Sequence, residues 1–206
     1  RDMEIRGVGT LLGQRQHGHM QAVGYNLYCK MLNEAVLRLR GGKNVEDDDF
    51  ETVADIQTDA FIPDSYIKNE ALKLDIYRRI AAVENKEEQE DMLEELIDRF
   101  GDPPTAVMNL LEITLLRGLA HSLYITEVKA RPDMITFTMY EKAKIRVDKI
   151  PELLEQMGGN MMFRHAESAQ FICRLQGGRR RFSGTILEIT REVLEEMCVL
   201  REEEEK

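Results

Sequence analysis

The chain has 206 residues, 43% of them apolar, which is enough for one proper core with an appendage. No stretch approaches the roughly 18 uncharged apolar residues of a membrane span, because even the richest run, 106–120, contains Glu112 and Arg117. Three cysteines, Cys29, Cys173 and Cys198, are too few and too far apart for a disulfide framework or a zinc knuckle, and they fit reduced, buried thiols in a cytoplasmic protein.

The net charge of −10 is unevenly divided. Residues 1–43 carry seven Lys or Arg against three acids (+4), and residues 44–206 carry 21 against 35 (−14). Only the first segment suits a polyanion. The larger part would repel DNA at long range and suits a basic protein surface. No leader pattern opens the chain, and its first residue, Arg1, reads as the start of a piece cut from a longer protein.

Taken in order, the chain begins with RDMEIRGVGTLLGQRQHGHM, where Gly7, Gly9, Gly13 and Gly18 are interspersed with Arg1, Arg6, Arg15, Gln14 and Gln16. Spaced glycines let a backbone turn sharply and approach another closely, and arginine forks grip phosphate or carboxylate. The G-x-G-x-x-x-G spacing misses a dinucleotide turn by one residue and lacks a hydrophobic strand before it. Residues 20–40 show helical periodicity through Met20, Val23, Leu27, Met31, Ala35 and Leu39, broadened by Tyr28, Leu32 and Val36, and Gly41 and Gly42 end it. Residues 44–53 read as a solvated acidic linker, with Glu46, Asp47, Asp48 and Asp49.

From residue 54 the period falls to two: Ala54, Ile56, Thr58, Ala60 and Ile62 share one face of a predicted strand that Pro63 ends. Three helices are predicted next. The first, over 69–83, turns Leu72, Ile76, Tyr77 and Ile80 inward and Lys73, Arg78 and Arg79 away or sideways. The second, capped by Asn85, carries acids in its first turns and an apolar stripe of Met92, Leu93, Leu96, Ile97 and Phe100, closed by Gly101. The third, over 105–122, follows Pro103 and Pro104 and buries Val107, Leu110, Leu111, Thr114, Leu115 and Leu119. A hairpin is predicted over 125–140 around Pro132 and Asp133, and a short helix over 149–157 with Pro151 in its first turn runs into Gly158 and Gly159. A second hairpin over 161–175 and a closing amphipathic helix over 182–200 complete the pattern. Helices followed by hairpins favour α+β over a regularly alternating parallel fold. The division is 1–43 for loop and connector helix, 44–53 for the linker and 54–206 for an α+β domain.

Candidate chemistry is sparse. There is no G-x-x-x-x-G-K-[ST] phosphate loop, so the chain does not cradle ATP in the usual helicase manner. His17 and His19 lack nearby carboxylates or cysteines, so no metal site is expected, and no serine has a nucleophile-elbow context. Arg179, Arg180 and Arg181 form the one basic cluster of the acidic part, read as a loop ahead of the last helix with an anion or partner site as the alternative. In EELIDRFGDPP, Glu95 and Asp98 stand three apart on one helical surface, where two carboxylates suit arginines of another domain; ordinary surface acids are the alternative.

The run RDMEIRGVGTLLGQRQHG resembles the translocation motif shared by RecG-type DNA helicases and the bacterial transcription-repair coupling factors, with Met3 where leucine is usual. That resemblance implies translocation-coupling roles for Arg6 and Gln16, with Gly7, Gly9 and Gly13 shaping the loop. FIPDSYI, ALKLDIYRRIAAVENKEE and ELIDRFGDPP follow in the order expected of a coupling factor's C-terminal regulatory domain, which RecG-type helicases would lack. The resemblance implies a parent that is an ATP- and Mg-dependent duplex-DNA translocase with upstream helicase motor domains. Such a parent displaces stalled RNA polymerase and recruits UvrA. This fragment, non-catalytic by itself, would dock on the parent's UvrB-like N-terminal module and hide its UvrA-binding surface, with Glu95 and Asp98 at that interdomain contact. The alternatives are the C-terminal part of a RecG-type helicase, or an autonomous nucleic-acid-binding module using residues 1–43.

Overall fold

The computed structural model describes residues 50–165 and 167–202. The glycine-rich motif with Arg6, Gly7, Gly9, Gly13 and Gln16, the predicted helix over 20–40 and residues 44–49 lie outside the described residues. The remainder is an α+β domain. Its five-stranded sheet has the order β1 (Val53–Ile56), β2 (Ile125–Ala130), β3 (Met134–Met139), β5 (Ala169–Arg174), β4 (Met161–His165). β1 runs parallel to β2 and every other pairing is antiparallel. A parallel neighbour needs a crossover, and here three helices provide it: α1 (Glu70–Ala81), α2 (Lys86–Phe100) and α3 (Thr105–Ser122). Two further helices, α4 (Ile150–Gln156) and α5 (Ile186–Met197), flank the β4–β5 hairpin in sequence.

Local chemistry sets the helix ends. The Asn69 side chain accepts from the Leu72 amide and the Asn85 side chain from the Glu88 amide, each satisfying a donor that α1 or α2 leaves unpaired. Gly101, at φ +80°, closes α2, a backbone state that suits glycine. Thr185 and Glu188 form a reciprocal capping box at α5, so that helix begins at Ile186, four residues later than its apolar pattern predicts. The β2–β3 hairpin turns through Pro132 and Asp133, with Arg131 and Met134 exchanging backbone hydrogen bonds of 2.9 and 3.2 Å.

Three other expectations are corrected. The strand predicted to reach Ile62 stops at Ile56, although Ala60 and Ile62 stay buried. After Gln57 bonds to Ala130 O, the Thr58 amide turns back to Ile56 O and the Phe61 amide reaches Ala106 O, so the chain leaves the sheet for α3. Lys73, expected outward, is 9% exposed and pairs with Asp64 and, at 3.7 Å, with Glu70; its aliphatic stem lies inward while its ammonium finds counter-charge. On α2 only Met92 and Leu96 are buried, and Ile97 is 44% exposed.

The core lies on one face of the sheet. Ile135 stands opposite Cys173 and Phe137 opposite Phe171, all fully buried, and the rings of Phe163 and Phe171 are 4.9 Å apart. Helix α3 packs on β1 and β2 and also touches α1, α2 and α5. Burial on several sides explains why Ile113, Leu116 and Ala120 are buried beside Val107, Leu110, Leu111 and Thr114, while Leu115 and Leu119 are only partly covered. Burial pushes the Cys173 thiol up to about 12, so it is an inert core group.

The side on which the chain enters is also fixed. The Phe50 ring stacks on His121 at 4.4 Å and on Tyr140 at 4.7 Å. Thr52 Oγ1 donates to Ile125 O at 2.7 Å, so its lone pair receives His121 Nδ1–H at 3.1 Å. Burial, and then the Arg117 charge, push the His121 imidazole down, with Glu84 opposing them.

Replacing Leu96, 0% exposed, with Ala is expected to cost about 2–5 kcal/mol, whereas Ile97→Ala should cost under about 1 kcal/mol; urea unfolding of both variants checks which face of α2 is inward.

Candidate interdomain contact surface

The α1–α2 hairpin carries the polar surface that includes Glu95 and Asp98. Asn85 caps α2 within the short turn after α1, which lays the two helices side by side. Leu96 and Met92 anchor α2 inward, and the remaining positions fall outward by helical geometry. Helix α2 has seven acids against Lys86 and Arg99, so its outer face is strongly anionic.

Glu95 is the organising group. Arg79 of α1 donates through both terminal nitrogens to its two carboxylate oxygens, and Arg99, one turn along α2, donates to Oε1 at 2.5 Å. A bidentate guanidinium is the strongest form of such a pair. The hydrogen bonds from Arg79, ahead of those from Arg99 and against partial burial, hold the Glu95 carboxyl down at about 2. Arg99 also lies over the Phe100 ring at 5.1 Å, and Phe100 meets Tyr66 edge-on at 5.8 Å. The Tyr66 hydroxyl lies 2.9 Å from Gly101 O and 3.2 Å from Leu96 O, fastening the end of α2 to the preceding loop.

Asp98, by contrast, is exposed and has no ion pair among the described residues. Glu94 and Asp98 flank exposed Ile97. Between the two helices lies an open cleft of about 310 Å³ lined by Arg79, Ala82, Val83, Glu88, Asp91, Met92 and Glu95. Thus Glu95 stands between two arginines of its own domain and Asp98 faces solvent one turn away. The Glu95–Arg99 pair was legible as an i,i+4 spacing. Arg79, placed outward by periodicity, needed the hairpin to bring it to α2.

Arg179, Arg180 and Arg181 lie in the loop before α5, and Arg180 is bound to Glu192 at 2.5 Å and Glu196 at 2.8 Å. Among the described residues no group of three or more His, Cys, Asp or Glu side chains could hold a metal ion. No described helix is long and apolar enough to cross a membrane.

A mixed sheet covered by helices on one face, with surface carboxylates and guanidiniums arranged in ion pairs, defines an α+β domain of the kind that presents a charged helical hairpin. The TRCF domain family matches residues 56–150. The chain is 38% identical over 167 residues to the transcription-repair-coupling factor of Staphylococcus haemolyticus (strain JCSC1435), covering 81% of this chain and 13% of that protein. It is 38% identical over 160 residues to that of Bacillus subtilis (strain 168), covering 77% of this chain and 14% of the relative. A crystal structure of the C-terminal domain of transcription-repair coupling factor aligns with TM-score 0.53 and 26% identity, over 72% of this chain and 94% of that one. The chain belongs to the transcription-repair-coupling factor family, and it spans about one seventh of the length of these relatives.

Because the Glu95 carboxyl is held at about 2, below its ordinary value of 4.5, the pair stabilises the fold above pH 4.5 and this contribution is lost as pH falls towards 2. Glu95→Gln should therefore lower the unfolding free energy at neutral pH, by on the order of 1 kcal/mol at most for a pair this close to solvent, and the melting temperature with it. Melts from pH 5 to pH 2 should show the gap between the variant and the parent chain closing.

Proposed function

We propose that this chain is the part of a transcription-repair coupling factor in which a translocation motif meets a regulatory domain. In this reading the parent is an ATP-driven duplex-DNA translocase acting on stalled RNA polymerase. Its motor domains hold ATP and Mg, for which no phosphate loop exists in this sequence. Arg6 and Gln16, on a loop shaped by Gly7, Gly9 and Gly13, couple hydrolysis to movement. The α+β domain rests on the UvrB-like module and covers the surface that receives UvrA.

The observation that carries the reading is the α1–α2 surface within a domain of this family. It has an acidic helix, Glu95 gripped by Arg79 and Arg99, and Asp98 beside an exposed isoleucine. Such a patch has the parts of a modest interface: an apolar anchor, a polar rim and charge that selects a basic partner. Autoinhibition then is a population shift, in which a contact of limited strength holds the closed form until motor engagement outcompetes it.

Two experiments on the full-length protein test this. Glu95→Arg with Asp98→Arg should raise UvrA affinity by opening the closed form, and unchanged affinity in a folded double variant would remove the latch. Arg6→Ala or Gln16→Ala should leave most ATP hydrolysis while abolishing movement on DNA in a triplex-displacement assay; parallel loss of both activities would contradict a coupling role.

A further inference from the structure

The arginine-bearing loop between β5 and α5 is more highly organised than an exposed connection requires. Asn160, only 2% exposed, pins it: its Nδ2 donates to Arg174 O at 2.9 Å and its Oδ1 accepts the Arg180 amide at 3.0 Å. The Arg174 amide donates to Asn160 O at 2.7 Å and the Arg179 amide to Gly158 O at 3.0 Å. Gly178 lies so close to Asn160 that a Cβ there would fall 1.8 Å from Oδ1, so this approach admits no side chain.

With the backbone held, side-chain direction follows. Arg180 points inward to Glu192 and Glu196 of α5 and lies over the Phe182 ring at 5.6 Å. Its neighbours Arg179 and Arg181 point out. Both are exposed, as is Arg174, and none of the three has an ion-pair partner among the described residues. An otherwise acidic body thus presents three guanidiniums on a fixed backbone, none of them part of the α1–α2 cluster or its cleft, so the site is independent of the role given to that surface.

We propose that this loop is a docking site for an acidic peptide segment of a partner protein, whose carboxylates are received by Arg174, Arg179 and Arg181. Guanidinium forks match carboxylates in bidentate geometry, and a fixed loop loses little freedom on binding. Charge selects a peptide over duplex DNA. A rigid rod carrying a phosphate charge about every 1.7 Å would also lie against the acids of α5, where Glu188, Glu192, Glu195 and Glu196 outnumber Arg180, which Glu192 and Glu196 share, and Arg191, which Glu112 engages. A short flexible segment confines its carboxylates to the loop. The one aromatic ring of the loop, Phe182, lies beneath Arg180, so no free ring is offered for base stacking.

The test is anisotropy with a fluorescein-labelled peptide of alternating Glu and Asp against the full chain at about 0.1 M salt, where screening is already substantial. A labelled duplex DNA is the second probe. Arg179→Gln with Arg181→Gln should weaken peptide binding about tenfold or more. Gly178→Ala should weaken it with every charge retained, because the loop must shift off Asn160. Several results would overturn the proposal: no peptide binding, duplex DNA bound more tightly through the same arginines, or a folded Gly178→Ala chain that binds the peptide normally. A chain lacking residues 202–206 guards the result, since peptide binding seen only after that deletion would make the acidic tail itself the occupant and sink the intermolecular site.

Discussion

The domain depends on the burial of one helix. α3 is apolar around most of its circumference, with Val107, Leu110, Leu111, Ile113, Leu116 and Ala120 at or below 2% exposure. A helix of that kind is stable only inside a structure. It meets β1 and β2 on one side and α1, α2 and α5 on others, so these five elements are placed relative to it. Its few polar groups act as fasteners. Glu112 accepts from Arg191 Nε at 2.7 Å, tying α5 to α3, and Arg117 donates to Ala81 O at 2.6 Å, tying down the end of α1. Glu84 O lies 3.2 Å from where a Cβ on Gly118 would stand, which lets the α1–α2 turn settle against α3.

Once α3 is fixed, the α1–α2 hairpin has one face to give to the core and one to give away. The face it gives away is anionic and carries the Arg79–Glu95–Arg99 cluster, because Met92 and Leu96 have taken the inner positions. In a domain organised in this way, a contact on the hairpin could form or break without rebuilding the core. The apolar groups that hold it together are on α3 and the sheet, and the groups available for docking are on a hairpin whose outer residues contribute little to folding. This separation suits the lid role proposed above, in which release leaves the fold intact.

Local chemistry made much of this legible beforehand. Asn85 and Gly101 bracket α2, Pro104 precedes α3, and Pro132 with Asp133 turns the first hairpin, all within a residue or two of expectation. Elsewhere the pattern was overridden. The period of two through Ala60 and Ile62 reports burial correctly, yet those residues pack as an irregular segment because the amides of Thr58, Phe61 and Ile62 go to Ile56 O, Ala106 O and the Tyr77 hydroxyl instead of a neighbouring strand. Lys73 occupies an inward position because Asp64 meets its ammonium. Ile97 belongs to an apolar stripe by spacing, but no described element covers that edge of α2.

From the sequence alone come the α+β class, the helix and hairpin boundaries, the division of charge along the chain and the family to which it belongs. These rest on interactions within a few residues, or on wording that needs no coordinates. The tertiary structure alone decides that β1 lies parallel to β2 at the sheet edge, that Arg79 reaches Glu95 across a hairpin, and that Asn160 holds Arg180 inward so that Arg179 and Arg181 face out. Each of these joins residues at least 15 positions apart, and nothing in local propensity or periodicity specifies which distant groups the packing of α3 will bring together.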